Sequence, residues 1–271
     1  MNKALVLPFV VLFFLAGYRS ANGQRISLFK SIPVDARSFT VDELGNAYVI
    51  RKDNTLLRYN EKGDSTGFYK TVLNGELAFV DATNPLRILG YFPGYFKIIL
   101  LDRMLSLKNE MDLRKLHIAN ASTIASSADG NVWVYDRFNA RLKKIDEQLN
   151  VIQQSNDLRQ ELQMVPTPVF MTERDWKVYL CDTSRGVFIF DRYGNYVNMI
   201  PILHIAYLQL QGSKLIYRKD DSLYSWDTEK VKEERMPLPL RDTKILNATL
   251  TRDMLYVLYE GELVLYSVSE D

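Results

Sequence analysis

Asp129-Gly130-Asn131-Val132-Trp133-Val134-Tyr135-Asp136, followed by Arg141-Leu142-Lys143-Lys144-Ile145-Asp146, reads as turn, strand, turn, strand. Gly130 takes a positive φ freely, and its Asp and Asn neighbours tolerate one, so the triplet turns the chain. Val132 to Tyr135 are β-branched or aromatic, the types that fit a pleated, half-buried surface. Asp136 to Ala140 is short and polar, so the chain doubles back into a second strand with Leu142 and Ile145 as its apolar positions.

The phrase recurs. It appears at Leu44-Gly45-Asn46-Ala47-Tyr48-Val49-Ile50 and at Trp176-Lys177-Val178-Tyr179-Leu180-Cys181-Asp182. It appears again at Gly212-Ser213-Lys214-Leu215-Ile216-Tyr217 and at Met254-Leu255-Tyr256-Val257-Leu258-Tyr259. The faintest copy is Pro85-Leu86-Arg87-Ile88-Leu89-Gly90-Tyr91. The centres of these strands fall at residues 48, 88, 133, 179, 216 and 256, with gaps of 40, 45, 46, 37 and 40. A period of roughly 40–45 residues with four short strands per unit is the signature of a β-propeller blade. The expectation is an all-β, six-bladed propeller with four-stranded antiparallel blades. A sandwich has no reason to keep such a period over six copies.

Arg25 to Ile32 alternates as a strand that has no partner in its own unit. The last unit shows only three strands, at Ile245 to Leu250, Met254 to Tyr259 and Glu262 to Val268. The N-terminal strand is therefore expected to complete the last blade, which leaves the ring without an open edge.

Residues 1–23 read as a cleaved signal peptide: Lys3, an apolar run from Ala4 to Ala16 broken only by Pro8, then Ala21-Asn22-Gly23 before the cut. Residues 24–271 would be the single propeller domain, beginning at Gln24. No cysteine lies near the cut, so a lipoprotein anchor is not expected. The expected location is the periplasm, with peripheral association at the outer membrane compatible with it. No transmembrane segment follows in the mature chain. A net charge of +1 argues against a nucleic-acid partner. The lone Cys181 sits inside a strand and reads as a small buried thiol.

The blade phrase resembles the NHL-type and gluconolactonase-like six-bladed propellers. The lactonase branch implies a central divalent metal held by Glu, Asn and Asp side chains. The inner strands read from the sequence are Arg37–Thr40, Glu76–Phe79, Ser122–Ala125, Val169–Thr172, Ala206–Gln209 and Leu246–Thr249, and only Glu76 among them is a carboxylate. No catalytic residue, metal ligand or cofactor is expected from that set. His117 and His204 lie far apart in sequence without ligand neighbours. Asp81-Ala82-Thr83-Asn84-Pro85-Leu86-Arg87-Ile88-Leu89, with the leader ending before Gln24, is similar to exported propellers of Bacteroidota-type bacteria, which implies an envelope location.

Trp133, Trp176 and Trp226 are expected to pack between blades. Asn156 to Leu162 is expected to form one or two helical turns. Tyr91-Phe92-Pro93-Gly94-Tyr95-Phe96 reads as a Pro-Gly loop tip, which makes Tyr91, Phe92, Tyr95 and Phe96 the candidate partner-binding loop. The functional expectation is a non-enzymatic exported propeller. It would be a protein-binding scaffold or accessory subunit in the bacterial cell envelope, for example of a secretion or outer-membrane assembly machine. The alternatives are a metal-dependent lactonase-like hydrolase and a carbohydrate-binding propeller using exposed aromatics.

Overall fold

The computed structural model describes residues 25–251 and 253–269. The leader expected over residues 1–23 lies outside them. The chain opens with β1 (Arg25–Pro33) and then lays down six four-stranded antiparallel sheets. The first blade holds β2 (Ala36–Val41), β3 (Ala47–Arg51), β4 (Leu56–Tyr59) and β5 (Ser65–Tyr69). The second holds β6 (Phe79–Asp81), β7 (Ile88–Phe92), β8 (Lys97–Leu101) and β9 (Leu107–Asp112). The third holds β10 (Ala121–Ser126), β11 (Val132–Asp136), β12 (Arg141–Ile145) and β13 (Val151–Gln154). A single helical turn, α1 (Leu158–Glu161), follows where the sequence places one.

The fourth blade holds β14 (Phe170–Arg174), β15 (Lys177–Asp182), β16 (Gly186–Phe190) and β17 (Tyr196–Ile200). The fifth holds β18 (Gln209–Gln211), β19 (Lys214–Lys219), β20 (Ser222–Asp227) and β21 (Lys232–Pro237). The sixth holds β22 (Ile245–Thr251), β23 (Met254–Tyr259) and β24 (Glu262–Ser269), with β1 as its outermost strand. The closure expected from the sequence is thus present. β1 runs antiparallel to β24 from Arg25 opposite Ser269 to Pro33 opposite Glu262, with a shift of register between Leu28 and Lys30.

The second strands β7 and β11 are buried at every residue, as is the third strand β16. A blade packs on a neighbour through each of its faces, so both sides of its central strands need apolar side chains. The alternation sorts them between two interfaces. Val132 and Val134 join Leu89, Tyr91 and Ile98 of the second blade. Trp133 and Tyr135, between them in sequence, join Leu180, Phe188 and Phe190 of the fourth. The same division recurs around the ring, so the core is six clusters, each shared by two adjacent blades.

The cluster at the closure contains Ile32 and Val34 with Ala36, Phe39 and Val49 of the first blade and Tyr256, Leu258 and Leu263 of the sixth. The Tyr256 hydroxyl donates to the Gly45 carbonyl across the same junction at 2.9 Å. Gly45 has φ +83°, and a Cβ there would come within 3.2 Å of that hydroxyl oxygen. The turn therefore needs a glycine for its backbone and for the approach of the tyrosine.

Ile32 is 7% exposed and Leu28 is 59% exposed on the same strand. Ile32→Ala should cost about 2–4 kcal/mol by opening a cavity at the closure, while Leu28→Ala should stay within about 0.5 kcal/mol. Urea denaturation of the two variants checks this, and equal losses would show that β1 does not close the ring through its buried face.

Candidate functional site

A cavity of about 400 Å³ opens along the ring axis, lined by inner-strand residues of the first, second, fourth, fifth and sixth blades. Phe79 of β6, Phe170 of β14 and Tyr207 just before β18 contribute its rings. Phe79 meets Phe170 edge-on at 5.6 Å, and Phe170 lies against Tyr207 with ring centroids 4.8 Å apart. The Tyr207 hydroxyl is 3.2 Å from Thr40 Oγ1 of β2, so the aromatic cluster is tied across the hub. Burial is the main reason that the Tyr207 phenol is pushed up, Thr40 pulls the other way, and the charge of Asp81 adds to the rise.

Four carboxylates line this cavity, those of Asp42, Glu43, Asp81 and Glu173, together with one guanidinium among the described residues, Arg174. Their commitments differ. Asp42 Oδ1 accepts from the Leu44 and Asn46 amides, and its Oδ2 accepts from Asn46 Nδ2 and the Tyr48 hydroxyl. An ionised carboxylate has about four lone-pair directions, so Asp42 is saturated inside its own turn. Glu173 accepts from the Ser127 hydroxyl and the Ala128 amide, each at 2.8 Å, and from the Trp133 indole, all in the third blade. Asp81 accepts one amide on each oxygen, from Thr83 at 2.8 Å and from Ser126 at 2.6 Å. Glu43 is exposed.

Asp81 and Glu173 are 5% and 4% exposed. Burial raises the Asp81 carboxyl above the ordinary range, and the Ser126 and Thr83 donors only partly offset it. No ion pair reaches Asp81 among the described residues. Both residues clasp the third blade from either side, which makes them structural links as well as lining groups.

The hub corrects the sequence reading. The inner strand of the second blade is Phe79–Asp81, three residues later than expected, and that of the fifth is Gln209–Gln211. Glu76 lies outside any strand, with a side chain 67% exposed and paired with Arg37. The hub carboxylates are instead Asp81, at the end of β6, and Glu173, inside β14. The expected inner strand Glu76–Phe79 stops short of Asp81, which the structure places at the end of β6. The signal was there in Asp81-Ala82-Thr83, where a carboxylate caps the amide two residues on.

The aromatic loop is also corrected. Tyr91 and Phe92 belong to β7 and are 2% and 1% exposed, because consecutive residues of a central strand point into two different blade interfaces. Phe96 packs against the cluster between the second and third blades. Tyr95 is 47% exposed. Its ring lies against Gly75, where a Cβ would meet it at 2.9 Å. The linker beside it exposes Val72 and Leu73. Trp133 packs between blades as expected, and Trp226 is partly buried against the cluster of the fourth and fifth blades. Trp176 does not: it is 43% exposed in a tight turn, with the Arg192 guanidinium 4.6 Å from its ring.

Cys181 holds a position that tyrosines hold elsewhere. Tyr91 donates to the Ala121 carbonyl at 2.7 Å and Tyr135 to the Pro166 carbonyl at 3.0 Å, each in the chain entering the next blade. Cys181 Sγ donates to the Ile205 carbonyl at 3.4 Å in the same way. Burial pushes its thiol up to about 12, with the Asp182 charge adding. His117 and His204 are exposed residues on separate loops, both with positive φ.

No group of three or more His, Cys, Asp or Glu side chains among the described residues is placed to hold a metal ion. The axial residues do not fit the metal that the lactonase resemblance implies. A divalent ion there needs several converging free oxygens, and Asp42 and Glu173 already spend theirs on protein donors.

No protein-family model matches the chain, and no curated protein matches it. Solved structures do. A chain of the mitotic checkpoint complex is similar over 100% of both chains, with TM-score 0.67 and 10% identity. The Pan2 WD40 domain of Neurospora crassa is similar over 91% of this chain and 96% of its own, with TM-score 0.65 and 7% identity. Virginiamycin B lyase from Staphylococcus aureus is similar over 90% of this chain and 99% of its own, with TM-score 0.62 and 12% identity. These likenesses establish the propeller fold.

Two measurements check the hub and its neighbours. Cys181 should resist a thiol reagent at pH 8 in the folded protein and react fully in denaturant, because only the thiolate attacks. In the third blade, burial raises the Asp129 carboxyl, but Lys144, Ser127 and Asn131 outweigh it and hold it at about 2. A carboxylate depressed on folding contributes stability above its unfolded value of about 3.9, and loses it as pH falls through the folded one. The denaturation midpoint should therefore drop between pH 4 and about 2. Asp129→Asn should flatten that drop.

Proposed function

We propose that this protein is a non-enzymatic propeller that docks a protein partner in the bacterial cell envelope after export. Its fold alone does not choose a role, since rings of this kind include a lyase and a chain of a multi-protein complex. The observation that carries the reading is the exposed apolar surface at the junction of the first two blades. Val72 and Leu73 are 85% and 76% exposed, and Tyr95, 47% exposed, lies against Gly75 two residues further on. Large apolar side chains gathered at one place on a surface mark an interaction site.

The patch is held in place. The Leu73 amide donates to Thr71 Oγ1, and Lys97 Nζ donates to Asn74 Oδ1, which pins the linker to the second blade. A fixed surface loses little freedom on binding, and an exposed tyrosine is a frequent anchor of protein interfaces. At the hub, Asp81, Glu173 and Gln209 spend acceptors on blade-to-blade bonds. A leader over residues 1–23, as expected from the sequence, would bring the protein to a partner in the periplasm or at the outer membrane.

Affinity capture from envelope extracts should recover a reproducible partner. The triple variant Val72→Ser, Leu73→Ser, Tyr95→Ala should keep the parent's denaturation midpoint to within about 1 kcal/mol, since all three are surface positions. It should lose that partner. Equal capture by parent and variant would refute this face as the docking site.

A further inference from the structure

The hub cavity makes a second site, independent of the docking surface. Of the carboxylates lining it, Asp42 is saturated by four donors and Glu173 accepts from three. Asp81 is nine-tenths buried, accepts from the Thr83 and Ser126 amides, and has the side chains of the same two residues beside it. It has no cationic partner among the described residues. A buried carboxylate without a counter-charge is costly, and burial raises the Asp81 carboxyl, so a bound cation would stabilise its ionised form.

With only the exposed Glu43 to join it, Asp81 cannot hold a divalent metal, which requires several ligands at once. It can hold an ammonium group, which is monovalent and needs only one strong acceptor. Phe79, Phe170 and Tyr207 line the same cavity. Aromatic rings beside a carboxylate favour a cation carried on an apolar stem, through the ring quadrupole and through burial of the stem. The volume of about 400 Å³ falls in the range of small-ligand pockets. Glu43 at the cavity wall is exposed and adds to the negative potential, and Arg174 opposes it in part.

We propose that the axial cavity is a binding site for a small organic amine, with Asp81 accepting from the ammonium and Phe79, Phe170 and Tyr207 enclosing an apolar stem. Neutral alcohols of the same shape should bind worse, because they leave the buried carboxylate without a counter-charge. Anionic analogues should be excluded.

The test is titration calorimetry of the full mature chain with phenethylammonium, phenethyl alcohol and 3-phenylpropanoate at matched ionic strength. The amine should saturate, and the alcohol should bind at least about tenfold more weakly, as expected for loss of a charge-assisted bond in a closed site. Asp81→Asn should reduce amine affinity by at least about tenfold and bring it near that of the alcohol. Should Asp81→Asn fail to fold, Phe170→Leu keeps an apolar side chain there and removes a ring, and it should weaken the amine about threefold or more. Equal affinity for amine and alcohol, no saturation by the amine, or undiminished binding in Phe170→Leu would each overturn the proposal. The Val72→Ser, Leu73→Ser, Tyr95→Ala variant should bind the amine as the parent does, so the two sites fail or stand separately.

Discussion

The pairing of β1 with β24 is the constraint on which the rest of the structure depends. Every other sheet is built from consecutive strands, and each could form from local chain alone. The sixth is completed by residues more than two hundred positions away, with Arg25 opposite Ser269. Until that pairing forms, β24 is an open edge and the faces of the first and sixth blades lack part of their cover. Closure turns a row of blades into a ring, and only a ring has a hub. The axial cavity and its aromatic cluster are therefore consequences of a contact at the rim.

The ring was legible in the sequence because each blade faces the same packing problem. A central strand sandwiched between two neighbours must be apolar on both sides, so each repeat carries a dense run such as Val132 to Tyr135. The turns that bound it need Asp, Asn and Gly. Those demands recur at a fixed spacing, and a period survives changes in any single residue. The hub was less legible. Its strands are as short as three residues, at β6 and β18, and such segments carry too few alternations to set their own register. A slip of three residues was enough to hide Asp81 and to promote Glu76, a surface partner of Arg37. The Tyr91-Phe92 pair misled for a related reason. Its Pro-Gly neighbours announce a turn, but the chain turns only at Pro93–Tyr95, after both rings have entered the core.

The phrase that reveals the fold also joins its parts. Asp129 and Lys144 sit at opposite ends of it, and Lys144 Nζ meets Asp129 Oδ2 at 2.8 Å while lying 4.6 Å from the Trp133 ring. The Trp133 indole then donates to Glu173 in the next blade. A local turn, a cross-strand cation and an indole thus pass one continuous polar contact from the third blade to the fourth. The Lys144 side chain is 4% exposed, where an unpaired ammonium would be untenable, so the carboxylate and the ring are conditions of its burial. The replacement of tyrosine by Cys181 at the equivalent carbonyl-binding position shows how much latitude such links allow. A weak thiol donor suffices where the surrounding strand is already buried.

Chemistry at the hub is decided by how many lone pairs the architecture leaves over. A propeller sets its inner strands side by side around an axis, so each carboxylate there has backbone amides of the adjacent blade within reach. Glu173 and Asp81 both use them, in opposite directions around the ring, and the third blade receives both. Each such bond stiffens a junction and removes an acceptor from the cavity. Convergent metal ligation would require the reverse allocation, with the junctions held by other means. Glu173 commits to three donors of the third blade, and Asp81 to one amide of that blade and one of its own turn. What remains facing the cavity is Asp81 beside three aromatic rings, with Glu43 and Arg174 at the wall, a combination with little use for a hard divalent ion and better suited to an organic cation.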